Sequence, residues 1–346
     1  MVDATVIIPT FNGEKYLGRI LDALAQQKLM VGSKAGTFEV LLIDSGSVDS
    51  TLDIIASRSG MPGPIEVRLH QIPNSEFGHG RTRNLAARMA QGKYVVYLSH
   101  DAVPLGRDWL TNIIAPLVDS KKTGSEVIAV VARHIARPDC PPLLKYEIEG
   151  VFDRCGTRNR VTVEKLSAAE RAAYTNARAT PADLDTRSFY SDVASATIRD
   201  FLLNVIPYQD LPYSEDIAFG RDVLLAGYAK AYQPLAPVEH SNDVTFREYG
   251  KRIFDETLGL RRIGQARAPL GWGAGIARAA YGALRDAPRI IRDLDYSLAA
   301  KVGWLFVNPF WQVRKWNAIR RALRVNMSNA RAISAHSLEA HRARKR

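Results

Sequence analysis

Hydrophobic and polar positions follow two alternating periods along the first 135 residues. Short, nearly continuous apolar runs such as ATVIIPT are typical of parallel strands covered on both faces. Between them lie stretches with apolar residues at helical spacing, such as GEKYLGRILDALAQQ. The pattern predicts strands at 4–10, 38–46, 65–72, 93–99 and 125–134 and helices at 13–27, 48–59, 80–90 and 108–118. This alternation predicts βαβ units, an α/β fold and a mainly parallel sheet flanked by helices.

The second half of the chain is less regular. A turn-rich break, RPDCPP, is followed at 162–184 by a polar, Ala-rich segment that predicts a loop with a short helix. YSEDIAFGRDVLLAGY at 213–228 predicts a helix, and AKAYQPLAPVEHS at 229–241 a strand or an extended arm. Beyond Asn242 the pattern is helical. We therefore predict a catalytic domain at 1–245 and a helical extension at 246–346.

The composition is that of an ordinary soluble globular protein, with 46% hydrophobic and 24% charged residues. The formal net charge is +11, and the segment from Gln312 to Arg346 carries +9 of it through ten Lys or Arg and one acid. Basic tails of this kind contact anionic membranes or nucleic acid, or are simply solvated. The nearly balanced charge of residues 1–311 weighs against nucleic acid.

Neither the cysteines nor the apolar runs point to an extracytoplasmic or membrane-spanning protein. Cys140 and Cys155 are too few for a disulfide framework or a zinc cluster, which favours a reducing, cytoplasmic compartment. The chain begins without a basic lead or a cleavage site, so we expect no signal peptide. The longest late apolar run, VGWLFVNPFW, is about half of the roughly 20 residues that a spanning helix requires.

Polar residues collect where the predicted strands end, which is where ligands bind in open α/β sheets. The residues concerned are Pro9, Thr10 and Asn12 after the first strand, Asp44 and Ser45 after the second, His79, Arg81 and Arg83 after the third, and His100 and Asp101 after the fourth. Singly, Asp44 also suits a turn cap and His79 a loop-shaping position. Together they predict a nucleotide site.

The sequence lacks both glycine-rich phosphate motifs, G-x-G-x-x-G and G-x-x-x-x-G-K-[ST], which excludes the common dinucleotide and P-loop sites. A diphosphate without such a loop needs its charge balanced in another way. Magnesium or manganese bound by one or two carboxylates and the substrate phosphates does this. Asp101, directly after an apolar strand, suits that ligand position.

Several motifs resemble those of the family 2 inverting glycosyltransferases of GT-A fold. They are VIIPTFNGEKYL, LLIDSGSVDST, GRTRNLAA, GKYVVYLSHDAVP and YSEDIAFGRDVLLAGY, and they occur in the family's order over residues 4–250. The segments FGHGRTRN, FYSDVASA and VEHSNDVTFREYGKRIFD are most similar to those of bacterial rhamnosyltransferases.

The resemblance implies a donor site at the strand ends. Thr10, Asn12 and Asp44 would surround the nucleotide base, and Asp101 would bind the metal and diphosphate from the last position of a D-x-D-type element. His100 replaces the usual preceding acid. Ser45 stands where many members carry a second Asp, a departure that is consistent with a thymidine diphosphate donor.

The resemblance also implies the catalytic and acceptor residues. Asp216 falls where the family places its general base, and Glu215 would position the base or the acceptor. Asp192 would contact the sugar or acceptor, and His240 would reach a manganese or magnesium ion. The plain alternatives are N-terminal helix charge for Glu215 and Asp216 and a helix cap for His240.

The resemblance thus implies a metal-dependent transferase that uses dTDP-L-rhamnose as donor and a bacterial surface or cell-wall glycan, free or lipid-linked, as acceptor. The alternatives are a UDP-hexose donor, a nucleic-acid-binding protein and an inactive GT-A scaffold.

The C-terminal segment GWLFVNPFWQVRKWNAIRRALRV mixes aromatic and basic residues, as segments at a membrane surface do. It predicts a protein on the inner face of the plasma membrane, or else packing on the catalytic domain or within an oligomer.

Overall fold

A computed structural model of the chain describes residues 2–58, 65–120, 126–175, 181–265 and 268–343. The chain forms two compact units. The first contains Met1–Ile135 and Val151–His240, and the second contains Ala136–Gly150 and Ser241–Arg346. The predicted domain boundary at residue 245 stays a prediction.

The first unit is built on a mixed sheet. The strands of this unit are β1 Ala4–Thr10, β2 Met30–Val31, β3 Lys34–Ala35, β4 Phe38–Asp44, β5 Glu66–Gln71, β6 Tyr94–Leu98, β7 Val103–Pro104, β8 Val127–Ile135, β9 Thr162–Lys165, β10 Ala194–Ile198 and β11 Ala229–Glu239. Strands β2 and β3 pair with each other in a separate two-stranded sheet. Within the described ranges the main sheet has the order β5-β4-β1-β6-β10-β8-β11-β7, and β9 pairs with β11. The pairs from β5 to β6 are parallel, as is β8 with β11, whereas β10 is antiparallel to both of its neighbours.

Helices follow most of the strands. They are α1 Glu14–Ala25, α2 Thr51–Ala56, α3 His79–Met89, α4 Trp109–Val118, α5 Pro142–Cys155, α6 Ala168–Thr175, α7 Pro181–Arg187, α8 Arg199–Asn204 and α9 Glu215–Leu225. The division between the two units falls within α5. The apolar side of α1, which includes Leu17, Ile20 and Leu24, packs with strand residues such as Val6 and Val96 in the main core. This burial is the driving force that fixes the strand ends as a rigid frame.

The predicted strands and helices of the first 135 residues are confirmed, with ends that shift by a few residues. Ser59 and Ser125, at the ends of two of these predictions, lie outside the described residues, as do 176–180 of the predicted loop. The remainder of that loop contains β9, α6 and α7, and residues 229–239 form a strand. The short strands β2, β3 and β7 and helix α5, which follows the break RPDCPP, were not predicted. Strand β10 has the short sequence ASATI, whose residues do not reveal its antiparallel direction.

The second unit is helical, with α10 Phe246–Arg262, α11 Trp272–Arg292, α12 Leu298–Arg324, α13 Ala330–His336 and α14 Leu338–Ala343. Helix α10 begins with a capping box, in which Thr245 and Glu248 each accept from the other's backbone N–H. Tyr249, Phe254 and Trp311 lie in its apolar core. The helical prediction beyond Asn242 is thus confirmed where the chain is described.

Candidate active site

The sequence-predicted site residues of the first unit lie along one edge of the main sheet. The parallel strands β1, β4 and β6 end there at Thr10, Asp44 and Leu98, and the antiparallel β10 begins there at Ala194. The backbone N–H of Ser99 donates to the carbonyl of Val193 at 2.9 Å, which ties the loop after β6 to the segment that contains Asp192. This edge is where ligands bind in open α/β sheets.

The loops after β1 and β4 are hydrogen-bonded to each other. The side-chain oxygen of Asn12, a residue in the left-handed region at φ 49°, accepts from Val48 N at 2.9 Å, and Asn12 N donates to Ser47 Oγ at 2.9 Å. Asp44 is buried and accepts from the backbone N–H groups of Gly46 and Ser47 at 3.0 Å. Asp44 therefore shapes the turn, and its predicted contact with a base stays a prediction.

Other members of the predicted base set are also held in place. Thr10 and Ser45 are buried, and Ser45 N donates to the Thr10 carbonyl at 3.0 Å. Nδ1 of His100 lies 3.4 Å from the carbonyl oxygen of Pro9, so the loop after β6 contacts the end of β1. The base loops and the D-x-D-type element are thus adjacent.

Asp101 and His240 lie next to each other at this edge of the sheet. Oδ1 of Asp101 accepts from Ser99 Oγ at 2.6 Å, and Oδ2 lies 3.4 Å from Nε2 of His240. Burial alone would raise the pKa of Asp101, but the interactions with His240, His100 and Ser99 outweigh it and hold this pKa well below its usual value. Asp101 is therefore a carboxylate across the physiological pH range.

The pair suits a divalent cation. Two ligands at about 2.1 Å from one ion in neighbouring octahedral positions are about 3 Å apart, close to the 3.4 Å between Asp101 and His240. Over the described ranges, no cluster of three or more His, Cys, Asp or Glu is arranged to hold a metal. Two protein ligands leave positions for phosphate oxygens and water, which is how magnesium is usually bound by enzymes that act on phosphate substrates.

Arg83, whose side chain is 13% exposed, lies between two acidic side chains. Its Nε lies 3.0 Å from Oδ2 of Asp192, and one terminal nitrogen donates to Oε1 of Glu215 at 2.6 Å. Burial would lower the pKa of Arg83, but the negative charges of Asp192 and Glu215 raise it above its usual value. Arg83 thus joins α3 to the first turn of α9, and its predicted contact with the donor stays a prediction.

Asp192 has no exposed side-chain surface. Its Oδ1 accepts from Ser195 Oγ at 2.6 Å and from the Tyr208 hydroxyl at 2.8 Å. Burial raises the pKa of Asp192, and Arg83 opposes that rise. The geometry gives Asp192 a supporting place beside Glu215, and direct contact with an acceptor stays a prediction.

Asp216 and Glu215 begin α9 but differ in exposure. Glu215 is buried against Arg83, whereas Asp216 is partly exposed. Burial and the nearby charges of Glu215 and Asp192 raise the pKa of Asp216 well above its usual value. A carboxyl group with a raised pKa is a better general base near neutral pH, because a catalytic base is most effective when its pKa lies near the pH of the solution.

The other two basic residues after β5 lie at the border of this group. The ring of His79, at the start of α3, is 5.1 Å from that of Phe77 and 6.5 Å from that of Tyr213, just before α9. Arg81 is half-exposed and lies 3.5 Å from Asp210. Neither residue touches Asp101 or His240 in the described contacts, so their predicted place in the nucleotide site stays a prediction.

Sequence reasoning missed three residues at this edge. Ser214 precedes α9 in the left-handed region at φ 65°, and its buried hydroxyl has no hydrogen-bond partner within the described residues. A strained non-glycine residue of this kind is typical of functional sites. His134, on β8, lies 5.5 Å from the ring of His240, and burial lowers its pKa well below the usual value. Tyr208 supports Asp192. No motif or pattern in the sequence marks these three residues as part of the site.

Comparison with known proteins defines the class of the molecule. Residues 5–139 match the model of glycosyl transferase family 2. The chain therefore carries a glycosyl transferase family 2 domain, and the protein is a glycosyltransferase.

Its similar relatives include rhamnosyltransferases. The chain is 26% identical over 259 residues to the O-antigen chain rhamnosyltransferase RfbN of Salmonella typhimurium, which covers 72% of this chain and 70% of that protein. It is 25% identical over 264 residues to the O-antigen chain rhamnosyltransferase WbaN of Salmonella anatum, with 74% and 71% covered. The predicted resemblance is confirmed at the level of the family.

Solved structures confirm the GT-A fold. A mannosyltransferase from Pyrobaculum calidifontis, in complex with GDP-Man and Mn2+, matches with a TM-score of 0.55 at 19% identity and covers 91% of this chain and 86% of that one. Residues 1–349 of Staphylococcus aureus TarS, in complex with UDP-GlcNAc, match with a TM-score of 0.50 at 16% identity, with 97% and 79% covered.

Proposed function

We propose that the protein transfers L-rhamnose from dTDP-L-rhamnose to a bacterial cell-surface or cell-wall glycan, with inversion at the anomeric carbon. The observation that carries this proposal is a chain of contacts at one sheet edge. Asp101 lies beside His240, and Ser99 N donates to the carbonyl of Val193, next to Asp192. Arg83 in turn joins Asp192 to Glu215, the neighbour of Asp216. The rhamnosyltransferase relatives support the choice of sugar.

In the proposed mechanism, Asp216 is the general base. The acceptor oxygen forms a bond to the anomeric carbon while the bond from that carbon to the diphosphate oxygen breaks, and the acceptor proton passes to Asp216. A positioned base of this kind contributes about 10²–10⁴-fold to the rate. Glu215 and Arg83 hold the first turn of α9 in place, so that the Asp216 carboxylate meets the acceptor in one orientation.

Asp101 and His240 would hold a manganese or magnesium ion against the donor diphosphate. When bound, such an ion stabilises the negative charge that develops on the leaving diphosphate. The low pKa of Asp101 keeps this ligand ionised. His100, at 3.4 Å from the Pro9 carbonyl, would border the ribose, while Thr10, Asn12, Asp44 and Ser45 would form the base pocket.

The acceptor and the place of action complete the proposal. A glycan carried on a lipid would bring the reaction to the inner face of the plasma membrane, where the basic C-terminal region would meet anionic lipid. The described helices include none with the length and apolarity to cross a bilayer. We propose a peripheral cytoplasmic enzyme that does not bind nucleic acid.

A donor panel tests the proposal. Calorimetric titration with manganese present would compare dTDP-L-rhamnose with UDP-glucose and UDP-GlcNAc. We expect dTDP-L-rhamnose to bind at least about ten-fold more tightly than either UDP-sugar, since the donors differ in the base and the sugar that the pockets contact. If only UDP-glucose or UDP-GlcNAc bound, the proposed donor would be wrong, but the protein would still be assigned as a glycosyltransferase. Binding of none of the three would overturn the proposed substrate.

A further inference from the structure

The helical pair α11 and α12 exposes an unusual amount of apolar surface. Along α11, Ile276, Leu284 and Ile291 are 61%, 74% and 58% exposed. Along α12, Phe306 and Phe310 are 73% and 67% exposed. On each helix these residues recur at helical spacing and so lie on one side, and exposed apolar surface of this kind marks an interaction site.

The contact between the two helices, unlike their exposed side, consists of small and polar residues. On α11 the buried side includes Gly275, Ala279 and Gly282. A methyl group at Gly282 would lie 2.5 Å from the side chain of Gln312, so the helices approach closely there. Small residues between helices and large apolar residues outside are the arrangement of helices packed in lipid.

A buried acid lies in the same contact. Asp286 has no exposed surface, and its Oδ2 accepts from Gln312 Nε2 at 2.7 Å and from Asn308 Nδ2 at 3.2 Å. Arg285 donates to its other oxygen at 3.2 Å. Polar residues thus hold the pair together on the inside, while the outer side remains apolar.

Basic residues border this apolar surface. The segment from Trp272 to Arg324 contains ten Lys or Arg and three acids, a net of +7. On α12 large exposed side chains are apolar up to Val313 and basic beyond it, at Arg321 and Arg324, while Arg320 is half-buried. The guanidinium of Arg320 lies 3.7 Å from the ring centroid of Trp272, which places a cation beside the start of the apolar side of α11.

We infer that the outer side of the α11–α12 pair is a membrane-binding surface that lies in the headgroup region of an anionic bilayer. The apolar residues would enter the boundary of the acyl chains and the arginines would bind lipid phosphates, as in interfacial helices. A second copy of the chain is the weaker occupant, since two surfaces of net charge +7 repel each other. The inference extends the proposed function, since a lipid-linked acceptor would lie at this surface, but its test requires no transfer reaction.

The test is co-sedimentation of the full chain with vesicles of phosphatidylglycerol and phosphatidylcholine in equal parts. The variant Leu284→Gln/Phe306→Gln/Phe310→Gln removes three exposed apolar groups. The control Val205→Gln/Leu235→Gln removes two groups in the first unit that are 52% and 51% exposed. We expect the triple variant to bind at least about ten-fold more weakly, because each lost group removes apolar burial, and the control to bind as the unchanged protein does.

Equal vesicle binding by the triple variant and the unchanged protein would overturn the inference, as would no binding by the unchanged protein. It would also be overturned if the triple variant bound vesicles normally and changed only from dimer to monomer in sedimentation velocity. Should the triple variant unfold, lipids brominated in the acyl chains test the unchanged protein, where exposed Trp272 predicts quenching of tryptophan fluorescence. Absence of quenching would contradict the inference. Donor binding measured beside these assays separates this outcome from failure of the proposed function.

Discussion

Replacement of Arg83 by Met tests whether the buried ion group holds α9 in place. The side chain of Arg83 is 13% exposed and bridges Asp192, which is fully buried, and Glu215, which is 6% exposed. Methionine has a similar volume but leaves both carboxylates without their cation. Loss of one partner from a buried pair costs about 3–5 kcal/mol, a large part of the roughly 5–15 kcal/mol that stabilises a typical domain.

Arg81 on the same helix provides the matched control. It is 54% exposed and lies 3.5 Å from Asp210, which is 59% exposed. An exposed pair of this kind contributes about 0–1 kcal/mol, so Arg81→Met should leave the unfolding free energy nearly unchanged. Urea unfolding followed by circular dichroism measures both variants through the transition midpoint.

The loss in Arg83→Met should also depend on pH. Burial already raises the pKa of Asp192, and removal of Arg83 raises it further. A carboxyl group whose folded-state pKa is raised lowers the stability of the folded state as pH rises from its ordinary pKa toward the raised one. The stability difference between Arg83→Met and the unchanged protein should therefore grow as pH rises above about 4, the ordinary pKa of an Asp side chain. Equal losses for Arg83→Met and Arg81→Met, or no growth with pH, would refute this reasoning.

Two further predictions concern the base and the helix contacts. Asp216→Asn should lower turnover at least about 10²-fold. It should also raise the melting temperature at neutral pH, because the raised pKa of Asp216 means that ionisation of this group destabilises the folded state. Turnover assays and thermal scans check both effects, and a fully active or less stable variant would contradict them. Gly80→Ala should destabilise by about 1–3 kcal/mol, since its methyl group would clash with the Gln209 carbonyl. Gly18→Ala, in α1 with open space around it, should stabilise by about 0.5–1 kcal/mol; equal effects in urea unfolding would contradict the packing argument.

The sequence pattern predicted most of the sheet because its strands are buried on both faces. Runs such as the apolar residues of β1 and β6 can be identified without any knowledge of their neighbours. The direction of β10 could not be predicted, since ASATI has no feature that distinguishes parallel from antiparallel pairing. Helix α5 follows a proline-rich break and mixes apolar and polar residues without a clear helical period, so the sequence pattern did not predict it.

For the candidate site, strand ends could be predicted but partners could not. Asp101 was identified from its position after an apolar strand, and the structure places it 3.4 Å from His240, which is 139 residues away in the chain. Arg83 was assigned to the nucleotide site from its position after β5, but its partners Asp192 and Glu215 could not be predicted. A basic residue near a strand end gives no sign of which acid the fold will bring to it.

Calorimetric titration of dTDP-L-rhamnose into the Asp101→Ala variant, with and without manganese, tests the central claim most directly. Asp216→Asn serves as the comparison, because it alters the same edge of the sheet without removing the metal ligand. We predict that manganese strengthens donor binding by the unchanged protein and by Asp216→Asn, and that it has no effect on Asp101→Ala. An Asp101→Ala variant that bound the donor with full affinity and full dependence on manganese would contradict the account.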